Sequence, residues 1–504
     1  MEGGWGESVR TMELSVCSVL SSSQSPILAD MIRKIRLFLV FWVGFAPTLF
    51  ANAQVASLET LIKDAEIAGI AVVAITNGSV SSSQYAGVRS TETNPPITAS
   101  TVFESESLSK PVLAYITLKL AGEKVIDLDT PLAAYASYPD AAADARYEKI
   151  TARMVLTHTS GFPNWRNDSP EVTILFDPGL TFSYSGEGFV FLQRILEHLT
   201  GQSLEEMAHT HVFEPFKMTS SSFVWQSSFA PHIAVGHTDM GIALDKFTPQ
   251  VANGAYTLHT TAADYAQFML AVQRGDGLSK NLKKEMTTIQ VDAGDGIFWG
   301  LGWGLQPTLS GAAMWEWGDN PGYKTFAYLT PNASKGFVML SNSANGMLVL
   351  SDIFESVVAG PQTAVNWLNY ENYKNPGYQL GRRMHVALLA GGIEEAKAVY
   401  ASSKEDLPAE AFDELSLNSL GYRLLRQGLL DMAIPIFEYN ATLYPNSANV
   451  HDSLGEAYYV TGRHKEALAH YRTSLRLDPL NQNGSAMVKT IEAAIAAKGS
   501  QTEQ

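Results

Sequence analysis

Gly421, Ala433, Phe437 and Pro445 recur as Gly455, Ala467, Tyr471 and Pro479, each 34 residues further along the chain. Leu420 and Leu454 keep the same offset, as do Gly428 and Gly462. A unit of this length is a pair of helices that cannot bury its apolar face alone, so neighbouring units must stack. The period therefore fixes the end of the chain as an all-α array. Two repeats cover roughly 414–481, a closing helix follows near 485–497, and Leu388–Ala396 carries a weaker copy slightly out of register.

The segment before the array has a different grammar. Ile70–Ile75 is a short apolar strand, followed by the turn signal Asn77-Gly78 and a second extended run. Helical periodicity occupies 107–121, 187–200 and 262–274, the last opened by Thr261 and Asp264 at N-cap spacing. Thr325–Leu329 and Gly336–Ser341 flank Pro331-Asn332 as a hairpin. Strands at both ends with helices between predict an α+β domain whose antiparallel sheet is closed by sequence-distant segments. The expected organisation is a leader over 1–53, this domain over 54–360, a linker with the degenerate repeat over 361–410, and repeats over 411–497.

Met31–Arg36 is a basic stretch, Leu37–Phe50 an apolar one, and Ala51-Asn52-Ala53 a small-x-small cleavage pattern. This predicts an export signal over 31–53 starting at Met31, hence a periplasmic protein. The apolar stretch is short for a bilayer span, so an uncleaved N-terminal anchor is the lesser reading. The single cysteine, Cys17, precedes the signal, so the mature protein has neither a disulfide nor a thiol nucleophile. A net charge of −16 argues against nucleic acid as a partner.

Ser107-Leu108-Ser109-Lys110 sits where the apolar helix of 107–121 begins. Ser107 and Lys110 lie one turn apart on one face. A lysine on such a helix is desolvated, which lowers its pKa and favours the neutral amine, a base beside a nucleophile. The plainer reading is a serine N-cap followed by a solvated lysine.

Three further stretches follow in order: Thr157-His158-Thr159-Ser160-Gly161, then Phe182-Ser183-Tyr184-Ser185-Gly186, then Trp315-Glu316-Trp317-Gly318-Asp319. With the tetrapeptide, their order and spacing over roughly 55–350 resemble the serine β-lactamase and penicillin-binding-protein-like superfamily. The likeness is to the class C-like branch that includes esterases and D-amino-acid peptidases. The tail is similar to tetratricopeptide repeats. The resemblance implies a β-lactamase/transpeptidase-like fold, an antiparallel sheet flanked by helices with a helical subdomain. It implies Ser107 as the acylated nucleophile, Lys110 as its amine partner, and Tyr184 as the phenolate or shared-proton group that activates Ser107 and then water. The backbone amides of Ser107 and Asp319 would form the oxyanion hole. No metal and no cofactor are implied. His158 reads as a structural turn residue, since no Gly-x-Ser-x-Gly elbow accompanies it.

Three positions are assigned to substrate binding: Gly186, Glu316 and Gly318. The second motif commonly ends in asparagine, whereas Gly186 offers no side chain to a substrate amide. The third motif commonly carries Lys or His where Glu316 stands, and a glutamate there would repel a substrate carboxylate; alternatively it points into solvent. The expected substrates are esters, amides or β-lactams, preferably without a recognised carboxylate. Trp299, Trp303, Trp315 and Trp317 wall a cleft or fill the core, and Glu187 is expected to cap the helix after the second motif. The leading function is an exported serine hydrolase acting on a small-molecule or peptide substrate, with a tail that binds a protein or peptide. The alternative is a catalytically silent protein that binds peptides or partners through its cleft and repeats; the tail's own alternative is a stabilising extension.

Overall fold

The computed structural model describes residues 57–166 and 169–501, with side chains described to 493. The expected signal over 31–53 and Cys17 lie outside the described residues. An eight-stranded antiparallel sheet runs in the order β2-β1-β10-β9-β8-β7-β6-β5. Its strands are β1 (Gly69–Thr76), β2 (Ser79–Gly87), β5 (Val291–Gly294), β6 (Ile297–Trp299), β7 (Gly304–Thr308), β8 (Gly311–Asn320), β9 (Tyr323–Leu329) and β10 (Lys335–Ser341). β3 (Phe103–Glu104) and β4 (His259–Thr260) form a separate two-stranded ladder. β1 pairs with β10, Ile70 opposite Ser341 and Thr76 opposite Lys335, so the first strand is closed by the last, as the apolar runs predicted.

β1 is apolar at nearly every position because it is covered on both faces. Ala71, Val73 and Ile75 enter one core, and Ile70 and Val72 the other, following the two-residue alternation of a strand. The first core holds α1 (Ser109–Gly122), α2 (Gly186–Thr200) and α3 (Ala262–Arg274) against the sheet. The second holds the helices Leu58–Asp64 and Leu350–Val357 and the tryptophans Trp299 and Trp315. Trp299, Trp303 and Trp315 are core residues with no exposure, and Trp317 is half-buried. β2, with its Ser81-Ser82-Ser83 run, lies at the sheet edge, where a polar strand is least prone to pair with another chain.

The stretch 361–410 is not a slack linker. Thr363–Leu368 is helical, Ala364 is buried in the second core, and the Trp367 indole donates to Ala293 O at 3.2 Å. Then α4 (Pro376–Ser402) breaks at Gly392 (φ 73°), within the degenerate repeat. Gly428 (φ 73°) and Gly462 (φ 75°) make the same left-handed turn between α5 (Glu414–Arg426) and α6 (Leu430–Leu443), and between α7 (Ala448–Val460) and α8 (His464–Leu477). α9 (Gln482–Gln501) follows.

The repeated positions have a steric reason. A Cβ on Gly421 would stand 2.6 Å from the Phe437 ring, and one on Gly455 3.1 Å from the Tyr471 ring. Each glycine lets an aromatic residue of the second helix reach the first. α4 is shared: Tyr378 belongs to the second core of the sheet domain, while Leu380 and Met384 belong to the core of the tail. Beside them the His385 imidazole lies 3.4 Å from the Asp239 carboxylate, both buried, and Arg423 pairs with Glu371 at 3.1 Å. Among the described residues, no helix is long and apolar enough to cross a membrane.

Candidate active site

The Ser107 turn is held by three residues from outside it. Ser107 lies in a 3-10 turn, Glu106–Leu108, that runs into α1. Its neighbour Ser105 receives Thr325 Oγ1 on its carbonyl at 3.1 Å and donates its own Oγ to Leu258 O at 2.7 Å. Tyr265 donates to Leu108 O at 3.0 Å. Neither motif serine caps α1; Ser109 Oγ instead accepts the Leu258 N–H at 3.0 Å. Glu106 holds a left-handed backbone (φ 56°), an uncommon state for a residue with a side chain, just before the nucleophile.

Lys110 is fully buried. Its Nζ donates to Ser107 Oγ at 2.9 Å and to Ala255 O at 2.9 Å, and lies 4.9 Å from the centre of the Tyr184 ring. Burial pushes its pKa down to about 8, against the opposing pull of the Glu316 and Glu106 carboxylates. The solvated-lysine reading does not hold.

Tyr184 donates its hydroxyl proton to Glu316 Oε1 at 3.0 Å, and the neighbouring Ser107 hydroxyl favours its ionised form. Burial and then the Glu316 charge push the phenol well above its ordinary value of 10, so it is a neutral hydroxyl and not a phenolate. His158 stacks under this ring at 4.2 Å and accepts the Ser185 N–H on Nδ1 at 3.0 Å. Burial, and then Lys110, hold its pKa well below 6.5. It positions the second motif, and none of its hydrogen bonds goes to Ser107. The helix cap expected of Glu187 belongs to Ser185, whose Oγ accepts the Gly188 N–H at 3.0 Å; Glu187 instead pairs with Arg166 at 2.7 Å.

The third motif lies on β8, whose pairing with β7 ends at Trp315. Beyond it, one edge of β8 faces the nucleophile turn. Trp317 N–H turns away from β9 to the Glu316 side chain, and alternation along the strand sends the Asp319 N–H to the same edge as Trp317. Gly318 permits the approach, since a Cβ there would stand 2.5 Å from Glu106 Cβ and 3.0 Å from Ser105 O.

Two of the substrate-binding assignments change. Glu316 has no exposure, so it meets neither solvent nor a substrate carboxylate; its Oε1 is held by Tyr184 and the Trp317 amide, and Oε2 has no partner. Burial raises its pKa to about 8. At Gly186, a Cβ would stand 2.6 Å from the Trp165 indole, which packs edge-on against Tyr256 at 5.5 Å, and Tyr256 stacks on Phe247 at 6.2 Å. Trp165 and Phe247 are each 42% exposed, and the Trp165 ring lies 5.9 Å from Lys110 Nζ, so these aromatics form a wall beside the nucleophile turn. No periodicity announces this wall, because its members come from separate loops. The only available signal was the missing side chain at 186.

The family model described as Beta-lactamase matches residues 55–354. The chain belongs to the beta-lactamase family. A tetratricopeptide repeat model matches 448–481. Within the beta-lactamase family, the chain is 26% identical over 289 residues to penicillin-binding protein 4* of Bacillus subtilis, covering 49% of this chain and 62% of that protein. It is 25% identical over 225 residues to protein flp of Staphylococcus aureus, covering 41% and 44%. The chain thus spans less than two thirds of either relative. Among solved structures, a penicillin-binding protein of Bacillus halodurans superposes with a TM-score of 0.52 at 20% identity, covering 59% of this chain and 99% of that one. A class C β-lactamase superposes with 0.53 at 18% identity, covering 63% and 100%. These likenesses give the fold: a β-lactamase-family sheet domain followed by a repeat tail.

Proposed function

We propose that the protein is an exported serine hydrolase that works through an acyl-enzyme on Ser107. The contact that carries this reading is the one between Ser107 Oγ and the wholly buried Lys110 amine at 2.9 Å. A cation fixed there stabilises the oxygen as it loses its proton, Tyr184 relays that proton, and the amides of Ser107 and Asp319 receive the developing oxyanion. Collapse of the tetrahedral intermediate expels the leaving group, and water attacking the acyl-enzyme repeats the sequence.

The preferred substrate is a neutral ester or amide with an apolar or aromatic acyl group. Glu104, Glu106, Glu316 and Asp319 flank the nucleophile turn, and the nearby Lys324 is already paired with Asp319, so a substrate carboxylate finds no free cation there. Trp165, Tyr256 and Phe247 offer apolar contact instead. The repeat tail binds a protein or peptide partner.

Intact-mass measurement of wild type and Ser107→Ala, after exposure to a panel of aryl and alkyl esters and a penicillin, tests the reading. An acyl adduct or turnover that vanishes in Ser107→Ala is the expected result. A wild type that neither labels nor turns over any of them overturns it.

A further inference from the structure

The hydrogen bonds at the site all run one way. Lys110 Nζ donates to Ser107 Oγ and lies 4.9 Å from the centre of the Tyr184 ring, Ser107 favours the ionised form of Tyr184, and Tyr184 Oη donates to Glu316 Oε1. The line begins at a cation and ends at a carboxylate. That carboxylate has no exposure, and its second oxygen has no partner. A buried carboxylate with one idle oxygen is costly to keep unless it serves a purpose. Trp317 N–H, at 3.2 Å from the same Oε1 that Tyr184 holds, fixes the acceptor in place.

We propose that Glu316 is a positioning residue for acyl transfer that acts through Tyr184, as the terminal acceptor of the Ser107 proton. The proposal rests on the serine-hydrolase reading. As Ser107 Oγ bonds to the substrate carbonyl carbon, its O–H bond breaks and the proton goes to Tyr184 Oη. The original Tyr184 proton passes to Glu316 Oε1, and the carbonyl π pair moves onto the carbonyl oxygen. On collapse that pair returns to the carbonyl, the bond to the leaving group breaks, and its oxygen takes a proton from Tyr184. Tyr184 is refilled from Glu316, which returns to the carboxylate. Water follows the same route in deacylation. Two protons therefore move in each half-reaction, and Lys110 keeps its own.

The titratable groups coupled to Glu316 are Lys110 from α1, Tyr184 from the second motif and Tyr265 from α3; Lys110 itself also feels Glu106 and His158. Lys110 is the only cation among these. Burial raises the Glu316 pKa to about 8, so the ionised form that accepts the proton is populated in mildly alkaline solution and binds a proton more tightly than a surface carboxylate does.

Glu316→Gln keeps an acceptor for the Tyr184 hydroxyl but cannot take the proton. With a p-nitrophenyl ester as probe, the variant is expected to acylate at least about 100-fold more slowly and to lose the acidic limb of the wild-type pH profile. Acylation within threefold of wild type, with the limb intact, overturns the role of Glu316 and leaves the hydrolase reading standing. A wild type that forms no adduct at Ser107 overturns both. A proton inventory of wild-type acylation in mixed light and heavy water supplies a reading independent of the variant's folding. A curve of the two-proton kind is expected, and a straight line overturns the relay.

Discussion

The Trp165 indole occupies the space that any side chain at residue 186 would need, with a Cβ there 2.6 Å from the ring. The missing side chain and the aromatic wall are one feature. Trp165→Ala should therefore raise KM for aromatic-acyl esters by roughly tenfold while leaving kcat within about threefold, the pattern of lost uniform binding. Gly186→Asn alone should displace the indole and lower activity, and Trp165→Ala should relieve that loss in the double variant. Steady-state kinetics on the four proteins decide it; additive effects would show that the two residues do not compete for space.

Lys110 sits beside Ser107 with a pKa brought down to about 8 by burial. Lys110→Met, of similar length and no charge, should fold and lose about 1,000-fold or more in acylation rate. Intact-mass time courses check this, and a variant acylating within tenfold would move the activating role elsewhere.

Glu316 has a folded pKa of about 8 against an ordinary 4.5. A raised carboxyl contributes stability that is fully present below its unfolded pKa and is lost as pH rises through the folded value. Relative to Glu316→Gln, the wild type should therefore lose melting temperature between pH 5 and 8, by about 3 °C or more. Parallel melting curves across that window would show that the carboxyl titrates normally.

Asp239 meets His385 in the buried seam between sheet domain and tail. Burial opposes its charge, but the neighbouring His385, Gln427 and Arg423 hold its pKa below the ordinary 3.8. A lowered carboxylate contributes stability above the unfolded value and loses it as pH falls through the folded one. His385→Ala removes the nearer support and leaves Arg423, and should cost about 1–3 kcal/mol in denaturant titration. Asp239→Asn should cost less, and should flatten the acid side of the stability profile below pH 4.

Gly421 and Gly455 are equivalent by sequence period but unequal by space, at 2.6 Å and 3.1 Å from their aromatic partners. Gly421→Ala should cost about 1–3 kcal/mol by forcing Phe437 out of place, and Gly455→Ala less. Equal losses in chemical denaturation would show that both helices relax alike.

Features that repeat or alternate were legible from sequence. The tail period, the apolar β1, the closing hairpin and the Thr261 cap all follow from local spacing, and the structure has each. The candidate site was legible as a set of residue types, since the structure brings Ser107, Lys110 and Tyr184 together. The direction of each side chain was not. Glu316 is a carboxylate in sequence, and only the fold shows that it turns inward to Tyr184 and away from the cleft. Trp165 and Tyr256 stand 91 positions apart, and neither carries a pattern that names the other. β5, β6 and β7 were missed because each is five residues or fewer and lacks the long alternation that marks a strand.

α4 ends one hydrophobic core and begins the next within a single turn, from Tyr378 to Leu380. Such a helix is a shaft rather than a tether. Because Tyr378 and Leu380 are packed into the two cores, pulling or twisting on the tail loads the sheet directly. Within α4 itself a protease meets packed helix, and the accessible stretch at this junction is the irregular one just before it, where Lys374 and Asn375 are exposed.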